Sequence, residues 1–175
     1  MEEDPLALDT RRRIYEAVRR APGSGAREVQ RSASTAWGET VYHLDRLTHA
    51  GLVQRERSAH QDHYFVAAVP LGDRNLLRLS RSASARRILN ALMDDAGLTV
   101  PQLIERTGLS APRVSVYLHR LMDTGVLQIG RRDRWRIFSL VDRERVAKIL
   151  VAYRQGFADE WIERLVETWS EMFRP

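Results

Sequence analysis

"VSVYLHRLMDTGVLQIGRR", residues 114–132, puts Val114, Leu118 and Leu121 at helical spacing, halts at Gly125 and runs into a short strand ending in arginines. Intervals of three and four residues bring those apolar side chains onto one helix face. Glycine adopts a left-handed backbone without steric cost, so Gly125 marks a helix end where the chain can reverse. The stretch "TVYHLDRLTHAGLVQRER", residues 40–57, has the same design, with Thr40, Leu44 and Leu47 on the apolar face and Gly51 at the stop.

The likeness extends beyond these segments. At a constant offset of 74 residues, Arg12, Arg13, Ile14 and Ala17 align with Arg86, Arg87, Ile88 and Ala91. The register continues through Gly23 and Gly97, Val29 and Leu103, Leu44 and Leu118, Gly51 and Gly125, and Arg57 and Arg131, ending near Val66 and Leu140. Matches that keep one register without a gap, mainly at core and turn positions, indicate two copies of one domain.

Each copy reads as three helices and two strands. "TRRRIYEAVRRAPG" and "SARRILNALMDDAG" open on hydroxyl N-cap candidates, Thr10 and Ser84, and stop at Gly23 and Gly97 in predicted left-handed helix ends. In copy two, Thr99 and Gln102 form a capping-box pattern; "TGLSAP" then supplies a turn glycine, Gly108, a cap, Ser110, and a first-turn proline, Pro112. The predicted strands are "LVQRER" with "HYFVA" and "VLQIGR" with "RWRIFSLV". Three helices with a short turn between the last two, closed by a β-hairpin, make the winged helix-turn-helix plan.

The predicted fold is therefore mainly α with small β-hairpin wings (α+β): tandem winged helix-turn-helix domains plus a C-terminal helical tail. The expected divisions are an acidic tail at 1–9, a first domain at 10–69, a linker at 70–83, a second domain at 84–141 and an amphipathic helical segment at 142–175. Leu76, Leu77 and Leu79 predict that the linker packs or adds a helical turn.

The 175 residues carry a net charge of +5 and no cysteine, which excludes a disulfide framework and a thiolate metal site. No window approaches the ~18–20 apolar residues of a membrane span. The opening "MEEDPLALD" is the reverse of a secretory signal. These features fit the cytoplasm, and a basic balance points to nucleic acid, hence to the nucleoid. The excess is uneven: residues 1–79 hold 12 arginines against 11 acids, residues 80–142 hold 10 against 6, and the remainder is balanced.

With Val114, Leu118 and Leu121 facing inward, Arg113, Val116, Tyr117 and Arg120 are expected to point out and, with Ser110, to form the base-reading surface of the second domain. Arginine pairs bidentately with guanine, and an aromatic or valine side chain touches a thymine methyl. Ser110 and nearby amides suit a phosphate. The wing "GRRDRWRIF" adds Arg131, Arg132, Arg134 and Arg136 for phosphates. An isolated charged hairpin tip is usually a solvated loop; its place on this fold favours contact. In the first domain Tyr42, His43, Arg46, Arg55 and Arg57 form a weaker counterpart, since Glu39 and Asp45 share the helix and the wing is nearly neutral unless His60 and His63 protonate. Trp135 is expected to pack, and Trp37 fits either packing or exposure.

From Asp142 onward apolar residues recur at helical spacing, among them Phe157, Trp161, Leu165 and Trp169, with Gly156 as a break. So wide a stripe predicts homodimerisation, packing against the chain's own domains, or both.

On "RRRIYEAVRRAPGSGAREV", "TVYHLDRLTHAGLVQRER" with "HYFVA", "RRILNALMDDAGLTVPQLIERTGLSAPRVSVYLHRLMDTGVLQIGRR" and the terminal "VAYRQGFADEWIERLVETWSEMF", the chain resembles the archaeal transcriptional regulators with two tandem winged-helix domains, related to the ArsR and MarR superfamily. The resemblance implies a sequence-specific regulator that binds double-stranded DNA. Some ArsR relatives sense metals, and His43, His49, His60 and His63 cluster in copy one; without thiolates, surface or groove-facing roles are favoured and no metal site is assigned. There is no phosphate-cradling glycine loop, nucleophile elbow or helical His-Glu pair, so neither enzyme activity nor a cofactor is expected. A small-molecule effector, of unknown identity, would have to sit between domains. The competing expectations are a protein-interaction adaptor and a sequence-indifferent architectural protein.

Overall fold

The computed structural model describes residues 6–58 and 61–156. It contains two compact units, divided along the chain between Arg74 and Asn75. The first holds helices α1 (Asp9–Arg20), α2 (Ala26–Ala33) and α3 (Trp37–His49) and an antiparallel hairpin, β1 (Val53–Ser58) with β2 (Gln61–Val66). After α4 (Leu71–Ser80), the second repeats the order as α5 (Ala83–Met93), α6 (Val100–Thr107), α7 (Ala111–Met122), β3 (Leu127–Arg132) and β4 (Trp135–Leu140). Helix α8 (Arg143–Ala152) and a 3-10 turn at Arg154–Gly156 follow. The architecture is the predicted one, mainly helical with small hairpin wings.

The predicted register is kept to the residue: α6, β3 and β4 are α2, β1 and β2 displaced by 74. The structure also extends the repeat. Helix α4 follows the first hairpin as α8 follows the second, yet within α4 only Leu76 has an identical residue, Leu150, at that offset. The segment expected as a linker is thus a ten-residue helix. Its Arg74 is buried, donating to the Val69 carbonyl at 3.1 Å and to Glu56 Oε1 at 2.7 Å.

In each unit the first helix packs on the next two. Ile14, Val18, Val29, Leu44, Leu47 and Phe65 fill the first core; Ile88, Leu92, Leu103, Val114, Leu118 and Leu121 fill the second. A rung that sequence patterning does not show completes each hairpin. Ser24 bridges Tyr64, and Leu98 bridges Phe138, 74 residues later in both members. The hairpin bases are also alike: Ala67 N–H donates to the Leu52 carbonyl and Val141 N–H to that of Val126, each at 3.0 Å.

Turn chemistry explains where the third helices begin and end. Gly51 and Gly125 both have φ of +72°. At Gly51 the Leu52 amide bonds the Leu47 carbonyl (3.1 Å) and the Gly51 amide that of Thr48 (3.0 Å), a Schellman exit that satisfies otherwise orphaned carbonyls. Before the third helix, Gly108 is left-handed at φ +65°; its counterpart Ser34 takes the same region at +52°, a conformation that costs a serine free energy.

Several local expectations are corrected. Helices α1 and α5 start two residues early, behind Leu8 and Ser82, so Thr10 and Ser84 lie inside the first turn. The bonds from Arg12 N–H to Leu8 and from Arg86 N–H to Ser82 set those starts. Gly97 is not left-handed: a Cβ there would meet Ile137 Cδ1 at 2.8 Å, so close packing on β4 explains the residue. The Thr99–Gln102 capping box forms as expected. The tail helix begins at the Asp142 cap but ends at Ala152, before Gly156. Phe157, Trp161, Leu165 and Trp169, the expected dimerisation residues, lie outside the described residues.

Candidate nucleic-acid interface

Helix α7 carries the second unit's candidate reading surface. Val114, Leu118 and Leu121 are buried beneath it, while Ser110, Arg113, Val116 and Arg120 are exposed. Ser110 occupies the N-cap position without using its hydroxyl to cap. Tyr117 departs from the expected outward placement. It is half-buried, and its phenol oxygen accepts from Ser82 Oγ at 2.7 Å. Its ring in turn lies 5.5 Å from the Arg120 guanidinium, near enough for a cation–π contact that steadies the arginine.

The matching position in α3 is His43, where the correction is larger. His43 is buried, and Arg11 Nε on α1 donates to its Nδ1 at 3.4 Å. Both side chains sit one residue ahead of a core leucine, about 100° round the helix. That flank tethers the third helix to the start of the first, so His43 and Tyr117 buttress the helix. Burial, and then the field of Arg11, hold the His43 imidazole below its ordinary range against the opposing pull of Glu39. The unfolded chain therefore takes up this proton first. The stability due to neutral His43 is whole above about pH 6.5 and declines as pH falls through that value toward the lower folded pKa. Urea midpoints at pH 7.5 and 5.5 should differ less in His43→Gln than in the parent; an undiminished difference would exclude His43 as a source.

The remaining outer face of α3 holds Tyr42, 57% exposed, and exposed Arg46. Glu39, expected to disturb this face, acts on its own helix instead. Its carboxylate accepts from the Ala36 amide at 3.1 Å and caps the α3 entrance. Alanine offers no side-chain acceptor in return, so this is half a capping box. Trp37 is 40% exposed beneath the Arg27 guanidinium, 3.9 Å from the ring centre.

The wings differ in how their charges are used. In the first, Arg55 pairs with Asp62 at 4.0 Å and Glu56 is bound by Arg74, while Arg57 is exposed. Burial and Asp62 also raise the Tyr64 phenol's pKa. In the second, Arg131, Arg132, Arg134 and Arg136 are all exposed, and among the described residues none forms an ion pair. The two-residue tip, Asp133–Arg134, turns through a left-handed Asp133 at φ +56°. Trp135, expected to pack, is 53% exposed beside the Arg134 guanidinium, because the pleat turns it to the opposite side from buried Phe138.

Of the expected histidine cluster, His43 is internal, His63 Nδ1 contacts the Gly23 carbonyl at 2.8 Å and His49 contacts Asp45; His60 lies outside the described residues. Among the described residues no group of three or more His, Cys, Asp or Glu is placed to hold a metal ion. No helix among them is long and apolar enough to cross a membrane.

Comparison with known proteins agrees with this geometry. No curated protein matches the chain. The family model HTH_HVO_0163_N, an N-terminal HTH domain, matches residues 8–77. A model for a winged helix-turn-helix DNA-binding domain, HTH_24, matches residues 81–128 and stops short of the wing arginines. The chain therefore carries two tandem HTH domains, the second of the winged DNA-binding kind, as a DNA-binding regulator would.

Proposed function

We propose that the protein is a sequence-specific transcriptional regulator of the archaeal ArsR/MarR-like kind, bound to double-stranded DNA chiefly through its second unit. The observation that carries this reading is the contrast between the wings. Four open guanidiniums flank a reading helix in one copy, whereas the equivalent charges of the other are partly neutralised within the protein. With α7 in the major groove, Arg113 and Arg120 reach base edges, Val116 meets a thymine methyl, and Ser110 binds a phosphate. The wing follows the backbone. In the first unit Tyr42, Arg46 and Arg57 remain available for a weaker contact, while His43 and Arg55 are engaged internally.

Dimerisation through Phe157, Trp161, Leu165 and Trp169 would set two such surfaces on a palindromic site. The adaptor reading is favoured only by the first unit, whose α3 exposes Trp37, Val41 and Tyr42 with little net charge around them.

Selection from a random duplex pool at fixed salt tests the proposal. Recovery of one motif supports it, and an unenriched pool points to an architectural protein or an adaptor. Arg113→Ala or Arg120→Ala should each relax the motif at one position, by roughly 1–3 kcal/mol of discrimination per lost bidentate contact. A uniform loss across all sequences would move that arginine to the phosphates.

A further inference from the structure

Helix α3 presents an open face that differs in kind from that of its counterpart. Trp37, Val41 and Tyr42 are 40%, 44% and 57% exposed along it, with Gly38, Glu39 and Arg46 exposed beside them. At the 74-residue offset Trp37, Gly38, Glu39 and Asp45 become Ala111, Pro112, Arg113 and His119. The outer face of α7 is thus small and cationic, as phosphates require. That of α3 is aromatic and sets two carboxylates against the one guanidinium of Arg46.

Gly38 adds an independent observation. A Cβ built there would meet nothing within 4 Å, so packing within the chain does not call for glycine, which weakens a helix relative to alanine. Glycine on an outer face lets a second backbone come close. The charges indicate which backbone. Glu39 and Arg46 stand seven residues apart, nearly two turns, and so share one flank of the helix. Glu39 uses one carboxylate oxygen to cap Ala36, at 3.1 Å, and among the described residues neither Glu39 nor Arg46 forms an ion pair. Their midpoint falls beside Tyr42. A two-fold axis at that point lays α3 antiparallel on another α3, with Glu39 of each copy against Arg46 of the other and the two Tyr42 rings across the axis.

We propose that α3 is a self-association surface, on which the first unit pairs with the first unit of a second copy. The face is self-complementary, as an isologous contact requires: its apolar flank, Trp37 and Val41, meets itself, and its charged flank meets itself with the signs crossed. One helix pair lies at the small end of specific interfaces, so the association is weak and reversible. It is separate from the terminal apolar segment, does not rest on DNA binding, and would withdraw Tyr42 and Arg46 from the weaker DNA contact.

The chain has no cysteine, so single thiols report position. In the full chain, Tyr42→Cys with a short bismaleimide should yield a covalent dimer, half-maximal at a concentration on the order of 10–100 µM. Val116→Cys, the same position in α7, should cross-link far less. Glu39→Arg or Arg46→Glu, added to Tyr42→Cys, puts like charges across the contact and should lower the yield about tenfold. Mixing those two chains should restore it as a heterodimer, identified by mass. Gly38→Leu, whose side chain has open space in its own chain, should block pairing while the helix is kept. Equal cross-linking at the two thiols, indifference to the single charge reversals, or no recovery in the mixture would each overturn the proposal. So would either alternative occupant. No dimer, with the Tyr42→Cys thiol shielded by a duplex from a monofunctional maleimide, assigns the face to DNA. No dimer and no shielding assigns it to a different protein.

Discussion

Alanine at Arg131, Arg132, Arg134 and Arg136 together is expected to weaken binding to every duplex on the order of 10²- to 10³-fold near physiological salt. The four side chains are exposed and without ion pairs among the described residues, so their loss leaves the core that supports the hairpin, Leu127, Phe138 and Leu140, in place. Each guanidinium on a phosphate releases about one counterion, so the slope of log affinity against log salt should become shallower by about three to four. Fluorescence anisotropy across a salt series gives both numbers. The same change at Arg55 and Arg57 should do much less, because Arg55 is already paired with Asp62. A quadruple variant with parental affinity and slope would remove the wing from the interface.

Leu121→Ala and Leu47→Ala truncate the same position in the two copies, each fully buried under its third helix. Each should cost about 3 kcal/mol, since a buried leucine gives up its transfer energy and leaves a cavity. The expected difference lies in where the loss appears. Leu121→Ala should lower amide protection in α5, α6 and α7 and reduce DNA affinity; Leu47→Ala should loosen α1, α2 and α3 and largely spare DNA binding. Hydrogen exchange resolved by peptide separates the two. Equal loss of DNA binding from both variants would contradict the leading role of the second unit.

The sequence made the repeat legible because core spacing and turn glycines are repeated in kind: Leu44 with Leu118, Leu47 with Leu121, Gly51 with Gly125. Periodicity is less informative at the margin of a helix face. His43 and Tyr117 stand on such a margin, where a partner on or beside the first helix decides between inside and outside, and that partner is distant in sequence. Trp135 departs from expectation for a related reason, since its size argues for burial while the strand's alternation, fixed by Phe138, argues against it. The Ser24 and Leu98 rungs are single-residue pairings too short to carry a pattern. Helix α4 is hidden because its likeness to α8 is one of position.

The matched backbone bonds at the hairpin bases, Leu52 with Ala67 and Val126 with Val141, have an engineering consequence. Residues 53–66 and 127–140 have equal length and enter and leave their units through the same pair of peptide groups, so each hairpin is an exchangeable cassette. Grafting one into the other's socket varies charge and tip while loop length stays fixed. Two sockets and two cassettes make four molecules, in which the contribution of the wing can be separated from that of the helix beside it.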